Sequence, residues 1–131
     1  MILVLIPSLY KGGAEKIGIT LFEEIKSRGF NVILVSLNKK DKYSYNFNHD
    51  IVYLKSKNIF LKLFEFIKII NNNKITTIYS ASQKTNIFSG LACFFKTNIN
   101  LVFREPNTSE NFHYSYPSYL KKNILINLIR I

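Results

Sequence analysis

The sequence predicts an α/β domain, an open parallel sheet with helices on both faces. Two apolar runs, Ile2-Leu3-Val4-Leu5-Ile6 and Val32-Ile33-Leu34-Val35-Ser36-Leu37, are rich in Val and Ile, as strands buried on both faces are. A helix-patterned segment separates them, so residues 1–37 read as one βαβ unit whose right-handed crossover sets the two strands parallel. Further apolar runs then alternate with helical patterns to the end of the chain, the rhythm of a parallel sheet covered by helices.

The first strand passes through a short loop carrying Gly12-Gly13 into a helix that opens at Ala14-Glu15. Without Cβ, glycines there can take positive φ and let a ligand approach the backbone closely. The helix start offers unpaired N–H groups and the positive end of the dipole, a place for phosphate. The alternative is a tight βα turn with no ligand. The motif is neither a Walker loop nor the spaced-glycine dinucleotide fingerprint. Ala14, Ile17, Leu21 and Ile25 predict the core face of this helix, and Gly29 its C′ terminator. Glu15 reads as a first-turn carboxylate favoured by the dipole rather than as a base.

Residues 38–50 are polar and turn-prone, which predicts a surface loop, and His49 has no second ligand or base nearby in sequence. Ile51-Val52-Tyr53-Leu54 predicts a third strand. Residues 58–71 predict a helix with Ile59, Leu63, Phe66, Ile67 and Ile70 as its main face. That helix is also apolar at Phe60, Leu61 and Phe64, so it is either buried on most sides or set against lipid, with Lys55, Lys57, Lys62 and Lys68 as cationic edges. Asn71-Asn72-Asn73 breaks it. Ile75-Thr76-Thr77-Ile78-Tyr79 predicts a fourth strand, residues 83–95 a helix, and Asn100-Leu101-Val102-Phe103 a fifth strand. Polar clusters follow both strands, at Ser80-Ala81-Ser82 with Thr85-Asn86 and at Arg104-Glu105-Pro106-Asn107. The carboxyl ends of parallel strands are where such sheets bind ligands. An N-capping serine cluster and an exposed Arg104–Glu105 pair are the alternatives.

A chain of 131 residues suits one domain, long enough to bury about two-thirds of its unfolded surface. Eighteen Lys and Arg against eight Asp and Glu give +10, which implies an anionic partner. The abundance of Lys, Asn and Ile together also fits a nucleotide bias in the coding DNA. Cys93, the one cysteine, lies in an apolar run and reads as a core residue in a reducing, cytoplasmic setting. No stretch reaches the ~18 apolar residues of a membrane span. No His, Cys and Asp cluster has metal-ligand spacing, so no metal is expected.

The run Ile6-Pro7-Ser8-Leu9, then Gly12-Gly13-Ala14-Glu15-Lys16, Leu21 and Lys26-Ser27-Arg28-Gly29-Phe30-Asn31-Val32 resembles the Rossmann-like N-terminal domain of GT-B glycosyltransferases. The likeness is to the large retaining family numbered four. Thr85-Asn86-Ile87 matches an element found at the same place in a subgroup of that family. Arg104-Glu105-Pro106-Asn107 resembles a loop that faces the interdomain cleft. Other members carry a His in that loop; here the next His is His113.

The resemblance implies transfer of a sugar from a nucleotide-sugar donor to a glycan or lipid-linked acceptor in surface polysaccharide biosynthesis. It assigns Gly12 and Gly13 to the donor phosphate and Thr85, Asn86, Arg104, Glu105 and Asn107 to acceptor-side cleft loops. No catalytic residue, metal or separate cofactor is assigned to these 131 residues, the nucleotide sugar being the substrate. The apolar segment 124–131 stops without a cap, glycine or polar tail, which reads as an N-terminal half without its donor-binding domain and inactive alone. The other implied partners are an anionic membrane surface at the inner face of the membrane and a separate donor-binding chain. The alternative function is a non-catalytic acceptor or membrane-recruiting subunit of a split transferase. A remoter one, motivated by charge alone, is an anion or nucleic-acid binding module. The chain lacks a recognised nucleic-acid motif, so nucleic acid is not among the expected partners.

Overall fold

The computed structural model describes residues 1–10, 12–38, 51–94 and 98–104. The elements run β1 (Ile2–Ile6), α1 (Gly13–Ser27), β2 (Val32–Ser36), β3 (Ile51–Tyr53), α2 (Ile59–Asn72), β4 (Thr77–Ser80), α3 (Gln83–Cys93) and β5 (Asn100–Phe103). They form a five-stranded, all-parallel sheet in the order β3-β2-β1-β4-β5. This is the predicted Rossmann-like open sheet. β1 lies at its centre, with Val4 level with Leu34 on one side and Tyr79 on the other.

Alternation along β1 sorts the core into two layers. Val4 and Ile6 join Leu9, Leu34, Ala81 and the α1 residues Ile19 and Phe22 on one face. Leu3 and Leu5 join Val35, Leu54 and Ile78 with Phe66 and Ile70 of α2 and Phe88, Ala92 and Cys93 of α3 on the other. The Phe66 and Phe88 rings meet at 5.3 Å between centroids, a tilted aromatic pair joining α2 to α3. Cys93 is buried in that layer.

The core face of α1 differs from the predicted one. Gly18, Ile19 and Phe22 are its buried residues, Ala14 and Ile25 pack at the margin, and Ile17 is 38% exposed. Gly18 is the physical reason. A Cβ there would overlap Ile6 Cγ2, so the missing side chain lets the helix axis sit close to β1 and turns Ile17 outward. α1 ends as predicted. Gly29, at φ +81°, is C′ of a Schellman motif in which its N–H donates to the Lys26 carbonyl at 3.0 Å and that of Phe30 to Ile25 at 3.2 Å.

α2 is capped by Asn58, whose Oδ1 accepts from the Phe60 N–H at 2.8 Å. Its buried residues are Phe66 and Ile70, with Leu63 and Ile67 packed beside them, as predicted. Ile59 departs from the predicted face, being 58% exposed, because the first turn projects past the end of the core. The helix closes in a second Schellman motif with Lys74 at φ 49°. Ile75 is the C″ residue there, its N–H bonded to the Ile70 carbonyl at 3.0 Å and its side chain buried. The fourth strand therefore begins at Thr77 rather than Ile75 and runs on to Ser80. α3 stops at Cys93 instead of Phe95. Residues 39–50, most of the predicted surface loop with His49, lie outside the described residues, as do residues 105–131.

Glu65 fastens α2 to the turn after β3, accepting from the Lys55 N–H at 2.9 Å and the Ser56 hydroxyl at 2.6 Å. The Ser56 hydroxyl, opposed by partial burial and aided by the Ser56 and Lys55 N–H groups and the Lys55 charge, holds its carboxyl below the usual range. A lowered folded-state pKa contributes stability that is fully present above the unfolded value of about 4.3 and fades as pH falls through the folded one. Urea midpoints of the native chain and Glu65→Gln should therefore differ at pH 6 and converge below pH 4; an unchanging gap would remove Glu65 from the acid response.

The α1–β1 approach has its own test. Gly18→Val should lower unfolding free energy by about 1–3 kcal/mol through overpacking against Ile6. Gly90→Ala in α3, whose added Cβ meets only Phe103 Cζ at 3.8 Å, should instead gain about 0.5–1 kcal/mol. Equal effects at the two glycines, measured by urea denaturation, would contradict the packing argument.

Candidate functional site

All five strands point the same way, so the turns that follow them gather at one edge of the sheet. β1 leads to α1 on one face, whereas its neighbour β4 leads to α3 on the other. The two turns diverge and leave a crevice between them, the position at which open α/β sheets take ligands.

Residues 7–10 and Gly12 belong to the first wall. Leu9 anchors this loop in the α1-side core. The Ser8 hydroxyl donates to Glu15 Oε1 at 3.2 Å and accepts from the Tyr10 N–H at 3.2 Å, and the Gly12 N–H donates to the Tyr10 carbonyl at 2.8 Å. Neither glycine uses the positive φ open to it: Gly12 is extended at φ −118°, ψ 166°, and Gly13 is the first helical residue. Glycine serves Gly12 by space instead, because a Cβ would overlap Glu15 Oε2. At Gly13 a Cβ would meet nothing within 4 Å, so the helix start is open on that side.

The first intrahelical bond of α1 is from the Lys16 N–H to the Gly12 carbonyl at 3.0 Å. The N–H groups of Gly13, Ala14 and Glu15 precede it, and Gly12 has no side chain to cap them. The other two described helices are capped by Asn58 and Ser82. α1 thus presents backbone donors and the positive dipole end at the crevice.

The second wall is built from β4, α3 and the end of β5. Ser82 and Thr85 make a reciprocal capping box, Thr85 Oγ1 accepting from the Ser82 N–H at 2.9 Å and donating to the Ser82 carbonyl at 2.8 Å. The N-capping alternative therefore holds for Ser82. Ser80 does something else: its buried hydroxyl donates to Asn86 Oδ1 at 2.5 Å, while Asn86 Nδ2 donates to the Arg104 carbonyl at 3.1 Å. With the Arg104 N–H on the Ser80 carbonyl at 3.0 Å, three residues lock the ends of β4 and β5 together.

Thr85 and Asn86 are buried, and their side chains hold this wall rather than project from it. Arg104 is half-buried. Burial pushes the Tyr79 phenol up, and the Arg104 guanidinium pulls it partly back. The structure thus gathers Gly12, Gly13, Thr85, Asn86 and Arg104 at one edge, on two walls. Glu105 and Asn107 lie outside the described residues. Sequence reasoning missed Ser8 as the residue that fixes the glycine loop; its only sequence signal is a hydroxyl seven residues before Glu15.

Among the described residues, no group of three His, Cys, Asp or Glu side chains converges. No described helix is long and apolar enough to cross a membrane. The fold and crevice define a Rossmann-like α/β domain of the kind that takes ligands at its carboxyl edge. No family model and no curated protein matches the chain.

Asn86→Ala should leave the buried Ser80 hydroxyl and the Arg104 carbonyl without this partner and cost about 1–3 kcal/mol. Hydrogen exchange at the Arg104 amide should accelerate relative to amides of β1 and β2. Unaltered protection there would show that Asn86 does not hold the second wall.

Proposed function

We propose that this chain is the acceptor-side, N-terminal domain of a retaining, family-four-type GT-B glycosyltransferase, transferring sugar from a nucleotide-sugar donor to a glycan or lipid-linked acceptor. The observation that carries the reading is the open start of α1: three uncapped N–H groups beside Gly13, at the crevice between β1 and β4. In sugar transfer from a nucleoside diphosphate, charge develops on the leaving phosphate, and fixed backbone donors stabilise it without reorganising. Gly13 leaves the approach free, while Ser8 and Glu15 hold the loop in shape. Arg104 on the opposite wall adds positive charge for the donor diphosphate or a phosphorylated acceptor. The resemblance of Gly12-Gly13-Ala14-Glu15-Lys16 and Arg104-Glu105-Pro106-Asn107 to the family's loops selects sugar transfer among phosphate chemistries.

The proposed division of labour assigns donor selection to a second domain. A non-catalytic acceptor-binding partner of a separate donor-binding chain is the second reading. It is favoured by the engagement of Glu15, the first-turn carboxylate of α1, with Ser8.

A transfer assay following nucleoside diphosphate release tests both. The 131-residue chain alone should release none from any nucleotide sugar. Coexpressed with a donor-binding domain of the same family, it should turn over, and Gly13→Val should lower kcat about tenfold or more with an unchanged melting temperature. Robust turnover by the chain alone, or a Gly13→Val rate equal to the native one, would contradict the proposal.

A further inference from the structure

The first turns of α2 carry an apolar surface that the described residues leave exposed. Phe60 is 70% exposed, Phe64 69% and Leu61 57%, beside the exposed Ile59. Phe60 and Phe64 follow one another at i and i+4 with Leu61 beside them, a stripe that diverges from the buried line of Phe66 and Ile70. Lys57 and Lys68 are exposed at its ends, and Lys55 is exposed in the preceding turn. Glu65, the one acid of α2, is bonded to the Lys55 and Ser56 N–H groups and the Ser56 hydroxyl. The outward surface is therefore aromatic, aliphatic and cationic.

We infer that this face of α2 docks on an anionic lipid bilayer, with Phe60, Leu61 and Phe64 entering the headgroup–acyl boundary and the lysines meeting lipid phosphates. Charge complementarity selects the occupant. A second copy would oppose lysine to lysine across the contact, with both chains at +10, whereas an anionic leaflet attracts each juxtaposed Lys. Aromatic side chains beside lysines are also the composition of a helix lying in the interface plane.

The topology gives docking a direction. α2 begins where β3 ends, so its first turn stands at the same edge of the parallel sheet as the Gly12-Gly13 loop and Arg104. Leu91 and Phe94, the other exposed apolar pair on this side, belong to the end of α3 and hence to the opposite edge. Docking through the start of α2 turns the crevice toward the bilayer and would suit a lipid-linked substrate. The docking itself rests on α2 alone and stands whether or not the domain transfers sugar.

The chain has no Trp, so Phe64→Trp places a single emitter in the stripe. Vesicles of phosphatidylcholine with phosphatidylglycerol should shift its emission to the blue, pure phosphatidylcholine should not, and high salt should reverse the shift. In vesicle sedimentation, Lys57→Gln with Lys68→Gln should weaken binding about 30-fold. Phe60→Ser with Phe64→Ser should abolish it while leaving the melting transition in place. Emission unmoved by anionic vesicles would overturn the inference. So would a blue shift without lipid that grows with protein concentration and accompanies a dimer mass in light scattering, or one that is independent of concentration, which marks the stripe as covered by the chain itself.

Discussion

The burial of β1 is the constraint on which the rest of the structure depends. Leu3, Val4, Leu5 and Ile6 have no exposed surface, and the strand is paired on both edges and covered on both faces. With no alternative partner in water, its backbone donors and acceptors must be used by β2 and β4, and its side chains must be met by helices from two sides. The α1 side is met at close range only because Gly18 offers no Cβ to Ile6. The other side is filled from a distance by larger groups, Phe66 of α2 and Phe88 of α3.

That constraint also fixes the crevice. Because α1 and α3 leave neighbouring strands toward opposite faces, the edge between β1 and β4 cannot be roofed by either helix. The two walls are then stiffened differently. On the first, Ser8 and Glu15 cross-brace a loop whose remaining donors are backbone N–H groups. On the second, the Ser80–Asn86–Arg104 chain consumes its side-chain polarity internally and leaves Arg104 as its described positive charge. One wall offers fixed dipoles and the other a cation, a pairing suited to a bridging phosphate.

β1 and β2 were legible in the sequence because double burial writes itself as uninterrupted Val, Ile and Leu, and Gly29 was legible because its left-handed conformation favours glycine. The face of α1 was not, since Gly18 adds nothing to an apolar pattern yet occupies its centre. Ile75 illustrates a second limit: a buried isoleucine before a β-rich run reads as strand, whereas here it seals the C-terminus of α2 behind Lys74. At the site, the glycine loop was visible but its physical use was not, because space for Glu15, not φ, requires Gly12. The Ser80–Asn86–Arg104 lock joins residues 6 and 18 apart in sequence, a separation that local periodicity cannot register. For α2, apolarity all round left burial and lipid contact as alternatives. The exposure of Phe60, Leu61 and Phe64 separates a buried half from an exposed one.

On the proposed function, the edge between β1 and β4 receives a phosphate-bearing ligand through the start of α1. Amide chemical-shift mapping of the isotope-labelled chain during titration with uridine diphosphate tests it most directly. The largest shifts are expected at Gly13, Ala14 and Glu15, with smaller ones at Ser82 and Arg104 and none at the opposite edge around Asn73 and Lys74. Shifts confined to the lysines of α2, or spread evenly over the cationic surface, would contradict it.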